Sequence, residues 1–141
     1  MTVDRIFLDA NILFSVAYGS PGLSLLWQSA RQNRCMLFAS NFVVEEAKRN
    51  LSDPDQKKRL EEYLSEVRIV PEADPTLPCP IELPEKDRPV LMAAVLNKAD
   101  DLLTGDSTHF GKYFGQTVNG VKICRPRDYL SKLLRKKKFL S

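Results

Sequence analysis

The stretch RIFLDANILFS, residues 5–15, places two polar side chains between two apolar triplets. The triplets, residues 6–8 and 12–14, have the composition of buried strands. Asp9 and Asn11 lie between them, and burying either side chain without a partner would cost roughly several kcal/mol. These two residues therefore either have hydrogen-bonding partners or stand at the end of the first strand and face a site.

Outward from this stretch, short apolar segments alternate with helical patterns along the chain. The sequence predicts strands over residues 3–8, 36–39, 68–70, 102–103 and 121–124. It predicts five helices, over residues 23–34, about 41–51, from 54 onward, 88 to about 98, and from 126 onward. The second helix has Ser40 or Asn41 as its N-cap, the third has Asp53 and the fourth has Asp87. This alternation indicates an α/β domain with a mostly parallel sheet.

Chain length and proline content set the expected domain organisation. A chain of 141 residues is expected to form a single domain over residues 1–141. Five prolines fall between Pro71 and Pro84, a density that no regular element tolerates. We therefore expect residues 71–86 to form a proline-rich loop within that domain.

Charge and cysteine content narrow the class of protein. The net charge of +3 is mildly basic, so it allows a nucleic-acid partner without arguing strongly for one. The three cysteines form no C-x-x-C pair and are expected to be reduced thiols. Without a signal-peptide pattern or a long apolar stretch, the chain is expected to be soluble and cytoplasmic, with no membrane association.

Four acids from separate segments are expected to meet at one edge of the sheet. Asp9 and Asp106 follow predicted strands, Asp87 begins the helix that leads into the second of these strands, and Glu46 lies early in another helix. Carboxylates held close together repel each other unless a cation lies between them. Mg²⁺ or Mn²⁺ suits carboxylate oxygens and would support hydrolysis of a phosphodiester bond.

Three segments resemble the PIN-domain family of metal-dependent ribonucleases. They are FLDANILFS (7–15), FVVEEAKRNL (42–51) and DRPVLMAAVLNKADDLLTGDSTHF (87–110). The resemblance implies a PIN-like three-layer α/β/α fold around a central mostly parallel sheet. It also implies an endoribonuclease that uses Mg²⁺ or Mn²⁺ on an RNA substrate. Many small members of the family are toxins of toxin–antitoxin modules, which implies an antitoxin partner and a homodimer.

The same resemblance assigns roles to individual residues. Asp9, Asp87 and Asp106 match metal-binding acids of the family, while Asn11 and Thr104 match residues that orient them. A glutamate is also expected, and Glu46 has the family's spacing. The adjacent Glu45 is the alternative, because neighbouring helical residues point about 100° apart and only one can face the site.

One position departs from the family pattern. Many toxin members carry a further aspartate three residues after the last metal-binding acid, where this chain has His109. The difference weakens the case for a second metal position, and for His109 a surface or packing role is expected. The simpler interpretation of Asp9 and Asn11, as residues that cap a turn, remains open. Residues 135–138, RKKK, are expected to be a solvated helix end.

Three other classes of protein share features with this sequence. A phosphatase of the haloacid dehalogenase type needs a second acid two residues after the first, and Asn11 cannot transfer a proton there. A flap-type DNA nuclease usually has additional helical elements, for which 141 residues leave little room. The remaining alternative is a PIN-like module that binds RNA or protein without cleaving it.

Overall fold

The computed structural model describes the backbone of residues 3–140 and the side chains of residues 3–135. Its strands are β1 (Asp4–Leu8), β2 (Cys35–Ser40), β3 (Arg68–Val70), β4 (Asp101–Leu103), β5 (Thr117–Val118) and β6 (Val121–Cys124). Its α-helices are α1 (Ala10–Tyr18), α2 (Pro21–Arg31), α3 (Asn41–Arg49), α4 (Pro54–Leu64), α5 (Arg88–Leu96), α6 (Ser107–Phe110) and α7 (Pro126–Leu140). Short 3₁₀ turns form at Glu85–Asp87 and Gly111–Tyr113.

The strands form one sheet in the order β3-β2-β1-β4-β6-β5. All neighbouring pairs are parallel except β5 and β6, which form an antiparallel hairpin. Successive residues of a strand point to opposite faces, so a strand that is buried throughout is covered on both sides. Ile6, Phe7 and Leu8 of β1 are fully buried. The sheet is the central layer of a three-layer α/β/α fold, which confirms the predicted fold class.

Helix α1 differs from the sequence prediction, because the composition of residues 12–14 is also that of a buried strand. Its buried residues are Ala10, Ile12, Leu13, Val16 and Ala17, and this spacing follows the helical repeat rather than strand alternation. Asp9 is the N-cap of this helix, and its side chain accepts a hydrogen bond from the backbone N–H of Ala10. Strand β1 therefore ends at Leu8, and a helix begins directly after Asp9.

The proline-rich segment contains no helix or strand between Val70 and the turn at Glu85–Asp87. Its end is held against the body of the domain by the buried side chain of Leu83 and by Arg88, whose Nε donates to the Leu83 carbonyl at 3.1 Å. The Tyr113 hydroxyl also donates to the Glu82 carbonyl at 2.9 Å. These contacts fix the residues that lead into Asp87.

Trp27, the only tryptophan of the chain, is fully buried. Its indole Nε1 donates to the Tyr63 carbonyl at 3.0 Å, and the two rings meet edge to face with centroids 5.0 Å apart. Leu25, on the same helix, is 39% exposed. Trp27 thus joins α2 to α4 in the core and is not part of an interface patch.

Three further sequence-based expectations concern the cysteines, membrane-spanning helices and the basic helix end. Cys35, Cys79 and Cys124 are all free, as expected. No helix within residues 3–140 combines the length and apolar character that crossing a membrane requires. The side chains of Lys136, Lys137 and Lys138, in the predicted basic helix end, lie outside the described residues.

Candidate metal centre

The parallel pairing of β1 and β4 brings two of the predicted acids to one edge of the sheet. Leu8 of β1 pairs with Leu103 of β4, and the backbone N–H of Asp9 donates to the Leu103 carbonyl at 3.0 Å. After β1 the chain crosses to β2, which pairs with one side of β1, whereas β4 pairs with the other side. The carboxyl ends of β1 and β4 therefore lie at a topological switch point of the sheet. Asp9 and Asp106 therefore follow the carboxyl ends of two neighbouring strands, where parallel sheets usually bind ligands.

Asp9 is 4% exposed and accepts three hydrogen bonds. The Ala10 N–H donates to its Oδ1 at 2.7 Å, while the Thr104 hydroxyl and Asn11 Nδ2 donate to its Oδ2 at 2.7 and 3.1 Å. Burial raises the pKa of Asp9 to about 6, although the bonds from Thr104 and Ala10 act in the opposite direction. Three hydrogen bonds thus fix the carboxyl group at a buried position that disfavours its ionised form.

Asn11 and Thr104 join the loops that follow the two strands. The Asn11 Oδ1 accepts a hydrogen bond from the Gly105 N–H at 2.8 Å, and its Nδ2 also lies 3.2 Å from the Thr104 hydroxyl. The Thr104 hydroxyl accepts from the Asp106 N–H at 3.1 Å. The Thr104 hydroxyl also donates to Asp9, so its two hydrogen bonds fix Asp9 and the backbone of Asp106 relative to each other. Both residues have contacts that suit the positioning role predicted for them.

Asp87, Asp106 and His109 form a compact group beside Asp9. The His109 Nδ1 lies 2.9 Å from Asp87 Oδ2 and 2.8 Å from Asp106 Oδ2. One ligand atom from each of the three residues lies within 4.8 Å of the others. The other carboxylate oxygen of Asp106 accepts the backbone N–H of His109 at 3.0 Å as the N-cap of α6.

The contact of His109 with the two acids was not anticipated from the sequence, which favoured a surface or packing role. Its side chain is 28% exposed, and its ring nitrogen faces two of the predicted site residues. A signal for this placement was present in the sequence. Three residues after an N-cap, a side chain lies over the same turn of helix as the cap itself.

A cleft of about 860 Å³ is lined by the predicted acids, whereas His109 lines a separate cavity with Leu83 and Arg88. The lining of the cleft includes all four predicted acids, Asp9, Glu46, Asp87 and Asp106. Glu46 is partly buried in this lining, whereas Glu45 is exposed and is not part of it. The structure therefore brings the four carboxylates predicted from the sequence into the lining of one cavity, while Glu45 lies outside it.

The electrostatics of the cleft suit a cation. Burial raises the pKa of Asp87, His109 lowers it, and the neighbouring Asp106 and Glu46 raise it further. Glu46 and Asp87 likewise contribute to the raised pKa of Asp9 after burial itself. The neighbouring carboxylates thus make Asp9 and Asp87 harder to ionise, and a bound cation would offset this repulsion.

Two buried atoms provide a direct test of whether a metal ion fits. Among the described side chains, Ser40 Oγ is buried without a hydrogen-bond partner, and so are Asp87 Oδ2 and His109 Nδ1, which lie beside each other. Their separation of 2.9 Å is that of a hydrogen bond, but the contact lacks hydrogen-bond geometry. Buried polar atoms rarely remain unsatisfied, and a divalent cation accepts both oxygen and nitrogen ligands. The residues present therefore fit a metal ion.

Comparison with known proteins places this site in a recognised fold. A chain in the crystal structure of VapBC2 from Rickettsia felis, bound to a DNA fragment from its promoter, superposes with a TM-score of 0.61. The match covers 86% of this chain and 98% of that chain, at 14% sequence identity. No protein-family model and no curated protein sequence matches the chain. The structural likeness shows that the chain has the fold of PIN-domain toxins, as the sequence resemblance predicted.

Proposed function

We propose that this protein is an endoribonuclease that hydrolyses RNA phosphodiester bonds with Mg²⁺ or Mn²⁺ at the four-carboxylate cleft. The observation that carries the proposal is the convergence of Asp9, Glu46, Asp87 and Asp106 in one cavity of a PIN-type fold. These four residues would hold the ion. When bound, a divalent ion neutralises negative charge on the phosphodiester and lowers the pKa of a water molecule.

The remaining residues of the cleft have supporting roles in this proposal. Thr104 and Asn11 hold Asp9 in a fixed orientation through the hydrogen bonds described above. Lys86 and Arg127 also line the cleft, and both are exposed. Their positive charges suit the phosphate backbone of an RNA strand that crosses the carboxylates. Lys48, by contrast, is paired with Glu61 at 3.2 Å, which makes it a weaker candidate for an RNA contact.

The nuclease proposal is tested by incubating wild-type protein and Asp9→Asn with a pool of structured and single-stranded RNAs. Asp101→Asn is the matched control, because Asp101 is an equally buried acid at the opposite end of β4. We expect cleavage by wild type and by Asp101→Asn with Mn²⁺, a loss of cleavage in Asp9→Asn, and none with EDTA. Cleavage that is equal in all conditions would overturn the proposal. RNA binding without any cleavage would instead support the alternative of a PIN-like binding module.

The proposal includes the role of a toxin with an antitoxin partner. Its support is the structural likeness to a chain of the VapBC2 assembly. Three free cysteines suit a protein of the reducing cytoplasm, where such a pair would act. We expect a small gene beside this one to encode a protein that abolishes RNA cleavage when the two are co-expressed. A genome neighbourhood without such a gene would contradict the toxin role and leave the nuclease proposal intact.

A homodimer is also part of the proposal. Leu25 and Leu134 are 39% and 51% exposed and lie on the rim of one surface groove, between helices α2 and α7. Light scattering during size-exclusion chromatography is expected to give twice the mass of one chain. A single-chain mass at micromolar concentration would contradict the dimer.

A further inference from the structure

We propose that His109 is a nitrogen ligand of an ion held by Asp87 and Asp106, and that it makes the site selective for a first-row transition-metal dication over Mg²⁺. The inference rests on the proposed metal-dependent function and adds to it the class of ion that the site prefers. Its basis is the group formed by Asp87 Oδ2, Asp106 Oδ2 and His109 Nδ1. The two acids line the cleft, whereas His109 lines a neighbouring cavity.

The spacing of the three atoms matches that of ligands around one ion. His109 Nδ1 lies 2.9 Å from the Asp87 oxygen and 2.8 Å from the Asp106 oxygen. Ligands at about 2.1 Å from a six-coordinate ion lie roughly 3 Å apart when they are adjacent. The observed separations are close to this value, so an ion would need only small movements of the side chains.

Hydrogen bonding does not account for this arrangement. Asp87 is 7% exposed, and its Oδ2 points into the group without a hydrogen-bond partner among the described residues. His109 Nδ1 is likewise buried without a partner within residues 3–135. One imidazole nitrogen can carry only one proton, so it could not satisfy two carboxylate oxygens at once. A cation at the centre of the three atoms would satisfy all of them.

The position of His109 is fixed by the same residue that would share the ion with it. Asp106 Oδ1 accepts the His109 backbone N–H at 3.0 Å, while Asp106 Oδ2 faces the imidazole ring. One carboxylate therefore fixes the backbone of His109 and offers its second oxygen as a ligand. Such preorganisation lowers the entropic cost of bringing the two ligands together.

The nitrogen ligand decides which ion binds best. Mg²⁺ prefers an octahedron of oxygen ligands, whereas imidazole nitrogen favours transition metals. A site of carboxylates alone would accept Mg²⁺ and Mn²⁺ with less discrimination. Replacing one carboxylate by an imidazole therefore shifts the preference towards the transition metal.

The test compares wild type with His109→Asp, which converts the site to oxygen ligands alone. Both proteins are purified without a histidine tag, stripped with EDTA, and titrated with Mn²⁺ and with Mg²⁺ by calorimetry. We expect the ratio of Mn²⁺ to Mg²⁺ affinity to be about tenfold or more higher in wild type. Circular dichroism confirms that the variant is folded. An equal ratio in the two proteins overturns the inference.

A second measurement does not depend on the variant. His109 is the only histidine in the chain, so a long-range ¹H–¹⁵N NMR spectrum reports on this imidazole alone. On addition of diamagnetic Zn²⁺ we expect the Nδ1 signal to shift to that of a metal-bound nitrogen. An Nδ1 signal that does not move, although calorimetry detects ion binding, overturns the inference.

The outcomes separate this inference from the nuclease proposal. RNA cleavage supported equally by Mg²⁺ and Mn²⁺, with equal affinities for both ions, overturns the selectivity and leaves the nuclease. Selective binding of Mn²⁺ without cleavage of any RNA overturns the nuclease and leaves the role of His109.

Discussion

Asp9 is buried, yet it lines a cleft together with three other acids. Three donors fix its oxygens, and two of these donors, Thr104 and Asn11, come from side chains. The sequence predicted both partners through the family resemblance. It could not predict that the hydroxyl of Thr104 also accepts the Asp106 N–H, because this bond depends on the turn after β4.

The raised pKa of Asp9 predicts a pH-dependent stability in the absence of metal. Burial raises this pKa from 3.8 to about 6, so the folded state favours the protonated acid. The resulting stabilisation is complete below pH 4 and is lost as the pH rises through 6. A difference of about two pH units between folded and unfolded pKa values corresponds to about 3 kcal/mol at most.

Urea unfolding in EDTA at several pH values measures this effect. Between pH 4 and pH 7, the unfolding free energy of Asp9→Asn is expected to rise relative to that of wild type. The reason is that the amide, unlike the carboxylate, has no charge to bury. A difference between the two proteins that stays constant with pH would contradict the raised pKa.

The hydroxyl of Thr104 is expected to contribute both to stability and to metal binding. Thr104→Val keeps the shape of the side chain but removes a buried group that donates to Asp9 and accepts from Asn11 and Asp106. We expect a loss of about 1–3 kcal/mol in unfolding free energy. We also expect about 10–100-fold weaker metal binding by calorimetry. Thr104→Ser retains the hydroxyl and is expected to retain most of both, and equal losses in the two variants would contradict this role.

Among the elements, the five predicted strands were all found, whereas helix α1, helix α6 and strand β5 were missed. Helix α6 is only four residues long and gives no periodic signal. The β5–β6 hairpin did have a signal, since Asn119 and Gly120 form its two-residue turn with φ values of 48° and 87°. Asn-Gly between two strands is typical of such a turn, and its antiparallel strand could have been predicted.

Helix α3 carries two adjacent glutamates on different faces. Glu46 lines the cleft and Glu45 is exposed to solvent. Glu46→Gln is expected to lower metal affinity about tenfold or more and to reduce RNA cleavage, while Glu45→Gln leaves both unchanged. Calorimetry and the RNA assay measure these effects. The reverse pattern would show that the helix presents its other face to the site.

For the whole molecule, the sequence predicted the α/β class and the edge of the sheet at which the acids meet. It could do so because strands of one direction end at one edge, whatever their order. The role of His109 could not be predicted in this way. Its distance from Asp87 depends on the position of the turn at Glu85–Asp87. The burial of Leu83 and the hydrogen bonds made by Arg88 and Tyr113 fix that position, and none of these contacts can be read from the sequence.

Since the four carboxylates come from segments far apart in the chain, only the folded protein can bring them to one ion. Mn²⁺ is therefore expected to bind the folded state and to raise the unfolding free energy by about 2.7 kcal/mol at one hundred times its dissociation constant. Thermal unfolding with Mn²⁺ and with EDTA measures the change. Asp87→Asn should lose most of this stabilisation, whereas Asp101→Asn, a buried acid at the opposite end of β4, should keep it. Equal stabilisation of both variants by Mn²⁺ would mean that the ion binds elsewhere on the protein, outside the cleft.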